Sequence, residues 1–276
     1  MTITITALCG ADSAAQTGSF IMCADTLVSW SSEGVPVSGN LGGSKIYKMP
    51  NGFYAAVSDD ISRASQIISY LYTQMEKFEP SNPQLIDLVK NALDDTSEYV
   101  RLWMRREVLA DYGVSEDEFL HDATLANRHE IAGEIKNRAM STQITIAGFK
   151  DTGAPILLFS DCIASQEQSA PGFFCAGGAG NFAALNWLNF RQQNCFMSIQ
   201  RTFFHVREAK QFSEVCPVVG ELNQTILLRH GKEPVNLSSV TPLVSRWFAN
   251  MFPATTDVLE KPDTWNQLVA EYGIKD

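Results

Sequence analysis

The chain opens on a period of two. Thr2, Thr4 and Thr6 alternate with Ile3, Ile5 and Ala7, which predicts a strand with one apolar face beginning at the second residue. The polar stretch GADSAAQTG then reads as a turn, and SFIMCAD as a strand that pairs back on the first in a hairpin. SWSSEGVPVSGNLGG has the Ser and Gly content of a loop. Two short strands follow, SKIYKM and GFYAAVS, joined by a turn at Pro50-Asn51-Gly52. From Asp60 the period lengthens: Ile61, Ala64, Ile68, Leu71 and Met75 fall on one helical face, and Glu79-Pro80 ends that helix.

Ser81-Asn82-Pro83-Gln84 has the form of a capping box. The stripe Leu85, Val89, Leu93, Val100, Met104, Val108 carries a long amphipathic helix to about Tyr112-Gly113. A second box, Ser115 to Glu118, opens a more charged helical stretch to about Met140. Strand character returns in TQITIAGF and APILLFSD, with Gly153 in the turn between them, and again in GFFCAG. Helices fit ALNWLNFRQQ and SIQRTFFHVREAKQF, and ELNQTILLRHG closes as a strand. Blocks of antiparallel strands alternating with pairs of helices predict an α+β protein, with two sheets face to face and helices outside them. Neither an internal repeat nor a linker divides the chain. The expected organisation is one domain over 1–232, with a C-terminal extension over 233–276.

Composition narrows the class. A hydrophobic content of 45% is ample for a buried core, and 21 Lys+Arg against 31 Asp+Glu give a net charge of -10. The longest basic cluster is Arg105-Arg106, which argues against nucleic acid as a partner. Cysteines at 9, 23, 162, 175, 195 and 216 form no CxxC pair and read as buried thiols. His121, His129, His205 and His230 lack metal-ligand spacing, so no metal is expected. The first twenty residues contain no Lys or Arg and no continuous apolar stretch, and no run is long enough to span a bilayer. The expectation is a cytoplasmic protein that makes no use of a membrane.

The candidate chemistry begins at Thr2. Removal of the initiator Met would leave it with a free α-amine of pKa about 7.7–8.0 beside its own hydroxyl, a nucleophile and a base in one residue. Taken alone, Thr2 reads as simply a β-favouring residue. Asp25 ends the second strand and Lys45 begins the third, so both stand at strand ends that can converge near Thr2. Taken singly, Asp25 is a turn former and Lys45 a solvated charge. Convergence would let an ammonium held by a carboxylate lower the pKa of the nucleophile.

Those residues carry a resemblance. TITITALC, MCADT, GGSKIYKM and GFYAAVSDD together are similar to the N-terminal half of proteasome β-type subunits and of the related bacterial ATP-dependent protease peptidase subunit, N-terminal-nucleophile hydrolases. The resemblance implies a four-layer α/β/β/α sandwich and a catalytic group of Thr2, Asp25 and Lys45. It also implies an oxyanion donor at the Ala56 N–H, where the family carries Gly. It implies no cofactor, a peptide or unfolded-protein substrate, a homo-oligomer, and an ATPase partner as in the bacterial relative. CAGGAGNFAALNWL is similar to a second family segment, but the family's supporting Ser falls on Gly178 or Ala179. Where the family has an Asp-x-x-Ser pair, this chain offers Ser213, Glu214 and Cys216. The resemblance covers about 2–78 and 142–230, leaving the helical stretch of about 100–140 as an insertion.

Two other readings compete. GAGNFA at 178–183 fits a dinucleotide fingerprint, but the stretch about twenty residues on is helical and brings no acidic strand end. The departures at Gly178/Ala179 and 213–216 fit a relative that keeps the sandwich as a non-catalytic structural or assembly subunit.

Overall fold

A computed structural model of the chain describes residues 3–11, 17–25, 27–32, 35–40, 44–58, 61–79, 81–122, 124–169, 172–177, 180–214 and 223–238. β1 (Ile3–Cys9) pairs antiparallel with β2 (Ser19–Asp25), as the alternation predicts. With β10 (Phe173–Gly177), β11 (Asn223–Arg229) and β12 (Val235–Asn236) they make a sheet of order β10-β1-β2-β11-β12. A second antiparallel sheet has the order β5-β6-β7-β8-β9, from β5 (Ile46–Lys48), β6 (Tyr54–Ser58), β7 (Gln143–Phe149), β8 (Pro155–Ser160) and β9 (Ser165–Glu167).

The odd positions of β1 and β2, Ile3, Ile5, Ile21 and Cys23, join one cluster with α5 (Gly180–Phe190) and α6 (Ile199–Ser213) through Ala184, Leu188, Phe203 and Val206. The even positions Leu8, Phe20, Met22 and Ala24 meet Ile46, Tyr54, Ala56, Ala147 and Leu157 of the second sheet. That sheet's other side, through Ala55, Val57, Ile144 and Ile146, takes α1 (Ile61–Met75) and α2 (Leu85–Tyr112). The one-sided strand expected at the N-terminus is therefore buried on both faces. Thr4 and Thr6, 2% and 1% exposed, line the side that faces the second sheet.

Several local expectations change. The Ser81 capping box does not form: α2 starts at Leu85, and the Gln84 N–H donates to Asn82 Oδ1 at 2.8 Å, an Asx turn that takes over the role of the cap. The Ser115 box does form. Glu118 N–H donates to Ser115 Oγ at 3.2 Å, and Ser115 N–H donates back to Glu118 Oε2 at 2.8 Å. The charged stretch that follows is two helices, α3 (Glu116–His121) and α4 (Arg128–Ser141), not one. Val108 and Leu109 of α2 close with Ile131 of α4 into a small cluster of their own, and Met104 lies in the main core. The apolar stripe of α2 is thus covered by its own chain. The segment read as a loop after Asp25 holds a hairpin, β3 (Leu27–Ser32) with β4 (Val35–Asn40), in which Ser32 and Val35 are in register. The two-residue spacing over Glu33-Gly34 was its signal.

The sheet continues past residue 232. Val235 pairs with Leu227, and Leu237 is buried in the first sheet's cluster. Residues 239–276, the bulk of the expected extension, lie outside the described residues. No helix among the described residues is long and apolar enough to cross a membrane.

The packing of α6 makes stability depend on pH. His205 is 6% exposed, with Nδ1 2.8 Å from Gln193 Oε1. Burial first, then the charges of Arg191 and Arg201, push its pKa down to about 4. An imidazole held neutral by folding contributes stability that is complete above pH 6.5 and lost as pH falls towards 4, since the unfolded chain takes the proton first. In urea titrations between pH 7 and pH 4.5, His205→Gln should flatten the loss seen for the unmodified chain by about 2 kcal/mol. Parallel pH curves for the two proteins would contradict this.

Candidate functional site

The two sheets are joined at one end by a buried charge. β2 ends on Asp25, fully buried, and because Ala24 is in register with Thr4 the next residue stands beside the start of β1. Asp25 Oδ1 accepts the Ile3 N–H at 3.0 Å and the Lys45 Nζ at 3.1 Å. Lys45 precedes β5 in the other sheet and is 5% exposed, so the pair spans the gap between sheets. Neither the solvated-charge reading of Lys45 nor the turn-former reading of Asp25 survives these burials. Removal from water lowers the pKa of Lys45, Asp25 opposes that by charge and hydrogen bond, and the charge of Lys210 lowers it again. An ammonium so placed is a positive charge held in the interior by its carboxylate partner.

Two glutamines tie the same end. Gln224, on β11 opposite Ala24, accepts three donors at its Oε1: Ser44 Oγ at 3.0 Å, Lys45 N–H at 3.2 Å and Ile46 N–H at 3.3 Å. This holds the backbone on both sides of the Lys45 Cα against the first sheet. Gln143, on β7, accepts the Gly177 N–H at 2.7 Å, and Gly177 is the partner of Ile3 in the ladder. With φ at +137°, Gly177 has a backbone conformation that side chains rarely adopt, and it ends β10 there. Because the partners are donors, each amide presents its oxygen.

Of the four expected site residues, the structure brings Asp25 and Lys45 into contact. Ala56 lies inside β6 at the same end of the second sheet, in register with Ile46 and with Thr145. Thr2 lies outside the described residues and is covalently the neighbour of Ile3, whose N–H the Asp25 carboxylate holds. Gly178, Ala179 and Cys216 also lie outside them. Ser213 donates its hydroxyl to the Lys210 carbonyl and finishes α6, while Glu214 pairs with Lys210 Nζ at 2.8 Å. The dinucleotide reading lacks its scaffold: β10 pairs antiparallel with β1, and α5 is followed by another helix instead of a parallel strand.

Gln143, Gln224 and Lys210 were not singled out from the sequence. Nothing in the local pattern marks either glutamine. Lys210 did leave a trace, because it continues the inward stripe of Ile199, Phe203 and Val206 at helical spacing, a cation where an apolar residue is due.

No protein-family description matches the chain, and no characterised protein matches it by sequence. Among solved structures it is similar to the one titled Anbu (Gly-1) mutant from Hyphomicrobium sp. strain MC1, with a TM-score of 0.56 and 11% identity over 100% of both chains. At that identity the likeness is one of fold. Anbu is a bacterial proteasome-like protein of the N-terminal-nucleophile hydrolase family, and what the present chain shares with it is the fold.

Proposed function

We propose that the chain is a threonine-type peptidase built on the four-layer sandwich of N-terminal-nucleophile hydrolases, with Thr2 as its nucleophile once Met1 is removed. The observation that carries this reading is the Asp25 carboxylate, which receives the Ile3 N–H and the Lys45 ammonium on one oxygen. A buried positive charge is thereby held one carboxylate oxygen from the peptide that joins residues 2 and 3.

The chemistry then runs on this chain's own groups. The Thr2 hydroxyl attacks a peptide carbonyl while the α-amine of Thr2 takes its proton and delivers it to the leaving amine. The acyl group remains as an ester on Thr2 Oγ1 until water, deprotonated by the same amine, releases the acid and the proton returns to Oγ1. Lys45 stabilises the developing alkoxide, and Asp25 keeps Lys45 oriented. The Ala56 N–H serves the oxyanion. Substrates are peptides or unfolded segments in the cytoplasm, delivered with or without an ATPase partner.

The alternative, a non-catalytic structural subunit, draws on the missing supporting Ser at Gly178/Ala179. Intact mass together with labelling separates the two. A chain lacking Met1 should form a covalent adduct with a peptide epoxyketone on residue 2, and Thr2→Ala should abolish it while the circular dichroism stays unchanged. Retention of Met1, or labelling that persists in Thr2→Ala, sinks the peptidase reading.

Burial changes what a lysine substitution tests. Lys45→Met leaves the Asp25 carboxylate buried without its cation and should destabilise the fold by about 3–5 kcal/mol, where an exposed lysine would cost about 0.5 kcal/mol or less. Adding Asp25→Asn should restore much of that stability without restoring hydrolysis. Full activity in the stable double variant would remove both residues from the mechanism.

Assembly into a homo-oligomer follows from the same reading. With the α2 stripe covered internally, the two most exposed aromatic side chains among the described residues are Phe182 and Phe190 of α5, 73% and 71% exposed, and they offer a surface to a second copy. Light scattering should give a multiple of the 30.5 kDa chain mass, reduced by Phe182→Ser with Phe190→Ser. A monomer mass independent of concentration would contradict it.

A further inference from the structure

The end of the two sheets away from Asp25 and Lys45 holds a cavity of its own. β11 starts opposite Asp25 and ends with Arg229 opposite Ser19, and β5 runs away from Lys45 in the same sense. The turns that follow β5, β7 and β11 are closed by backbone hydrogen bonds, Met49 N–H to Phe53 O at 2.8 Å, Lys150 N–H to Ala154 O at 2.8 Å and Lys232 N–H to Arg229 O at 3.2 Å. Between these turns lies a cavity of about 400 Å³, a volume suited to a small molecule and too small for a polymer. Its floor is apolar: Leu228 and Tyr54 belong to the cluster between the sheets, and Phe149 packs against that cluster. Phe149 also meets the ring of His230, centroids 5.9 Å apart, so the floor is built from both sheets.

The rim is cationic in a chain whose net charge is -10. Lys48, Lys150, Arg229 and Lys232 stand there against Asp151 and Glu233, an excess of two positive charges when Lys and Arg are counted against Asp and Glu. No two of the four cations adjoin in sequence, so the fold alone gathers them. Among the described residues none of the four is in an ion pair. Lys48 and Lys232 are exposed and, taken singly, are ordinary solvated charges. Arg229 is different. Its Nε and Nη1 are shielded from water and have no hydrogen-bond partner among the described residues. Charged donors left in that state cost stability, and a methionine of similar reach would avoid the cost. An anion in the cavity offsets it.

We propose that this cavity binds a small organic phosphate monoester, with its phosphate on Arg229, Lys150 and Lys232 and its apolar part on Phe149, Tyr54 and Leu228. A phosphate monoester carries about 1.5 to 2 negative charges at neutral pH, which matches the excess on the rim, and its oxygens are strong acceptors for a guanidinium. A carboxylate brings a single charge and leaves part of the excess unbalanced. The apolar floor selects for a ligand with a hydrocarbon or aromatic portion over the bare anion. Because the cavity lies at the other end of the strands from Asp25, the proposal stands whether or not the chain is a peptidase.

Calorimetric titration of the full chain with phenyl phosphate, inorganic phosphate and benzoate tests it, with amide chemical shifts to locate the binding. Phenyl phosphate should bind saturably with a dissociation constant of about 1 mM or below and shift the amides of Gly52, Asp151 and Gly231. Inorganic phosphate and benzoate should each bind about tenfold or more weakly, the first for want of the apolar part and the second for want of a charge. Arg229→Met should weaken phenyl phosphate about tenfold or more and, without ligand, raise the thermal midpoint, because an unsatisfied charge has left the interior. If Arg229→Met does not fold, Lys150→Met combined with Lys232→Met supplies the second variant, with a loss of about tenfold expected. Lys90→Met, exposed on α2, is the control and should leave the affinity unchanged. Absence of saturable binding, shifts confined to another face, or inorganic phosphate binding as tightly as phenyl phosphate each overturn the proposal. A lowered midpoint with unchanged affinity in Arg229→Met marks Arg229 as a packing residue and overturns it as well.

Discussion

A carboxylate with no access to water must be compensated by donors, and the site end of this molecule is organised around that requirement. Asp25 is satisfied by the first N–H of β1 and by an ammonium arriving from the other sheet. Removing either donor would leave a buried charge exposed to its full desolvation penalty. The register of β1 on β2 and the approach of the β5 segment are therefore bound to one another at this point, and each helps to specify the other.

Around that charge the sheets are held by neutral groups. Gln224 takes the amides of Lys45 and Ile46, and Gln143 takes that of Gly177, so each sheet satisfies backbone donors of its opposite number. These bonds tie the two sheets together at the strand ends. Further along the strands the apolar cluster of Phe20, Met22, Tyr54 and Leu157 takes over. Behind the first sheet, α6 adds its own buried polar network of His205 with Gln193 and of Glu208 with Arg191 and Trp187. Every one of these groups is paired, as the low dielectric of the interior demands.

Periodicity made most of the architecture legible. The alternation of Ile and Thr in β1, the helical stripe of α2 and the Ser115 box each express a local backbone preference that the tertiary structure retained. Where the expectation missed, a weak local signal had met a competing one. Asn82 captured the Gln84 amide before Ser81 could cap it, and the Ser-rich run after Asp25 formed a hairpin whose paired strands are only two residues apart in sequence. β9, three polar residues long, carries no pattern to read and exists because it pairs with the edge of β8.

Asp25 and Lys45 could be named from sequence because each stands at a strand end within a recognisable run of residues, and strand ends are where chains converge. What the sequence by itself determined was thus the elements, their order and the candidates for chemistry, since these depend on residues near one another along the chain. Burial, charge state and partnership belonged to the tertiary structure alone. Lys45 became a desolvated cation only when Asp25 was brought to it from twenty residues away, and Gln224 and Lys210 reached the site from much farther along the chain. Such contacts have no period and no spacing, because they are set by how two sheets and a helix come to lie against each other.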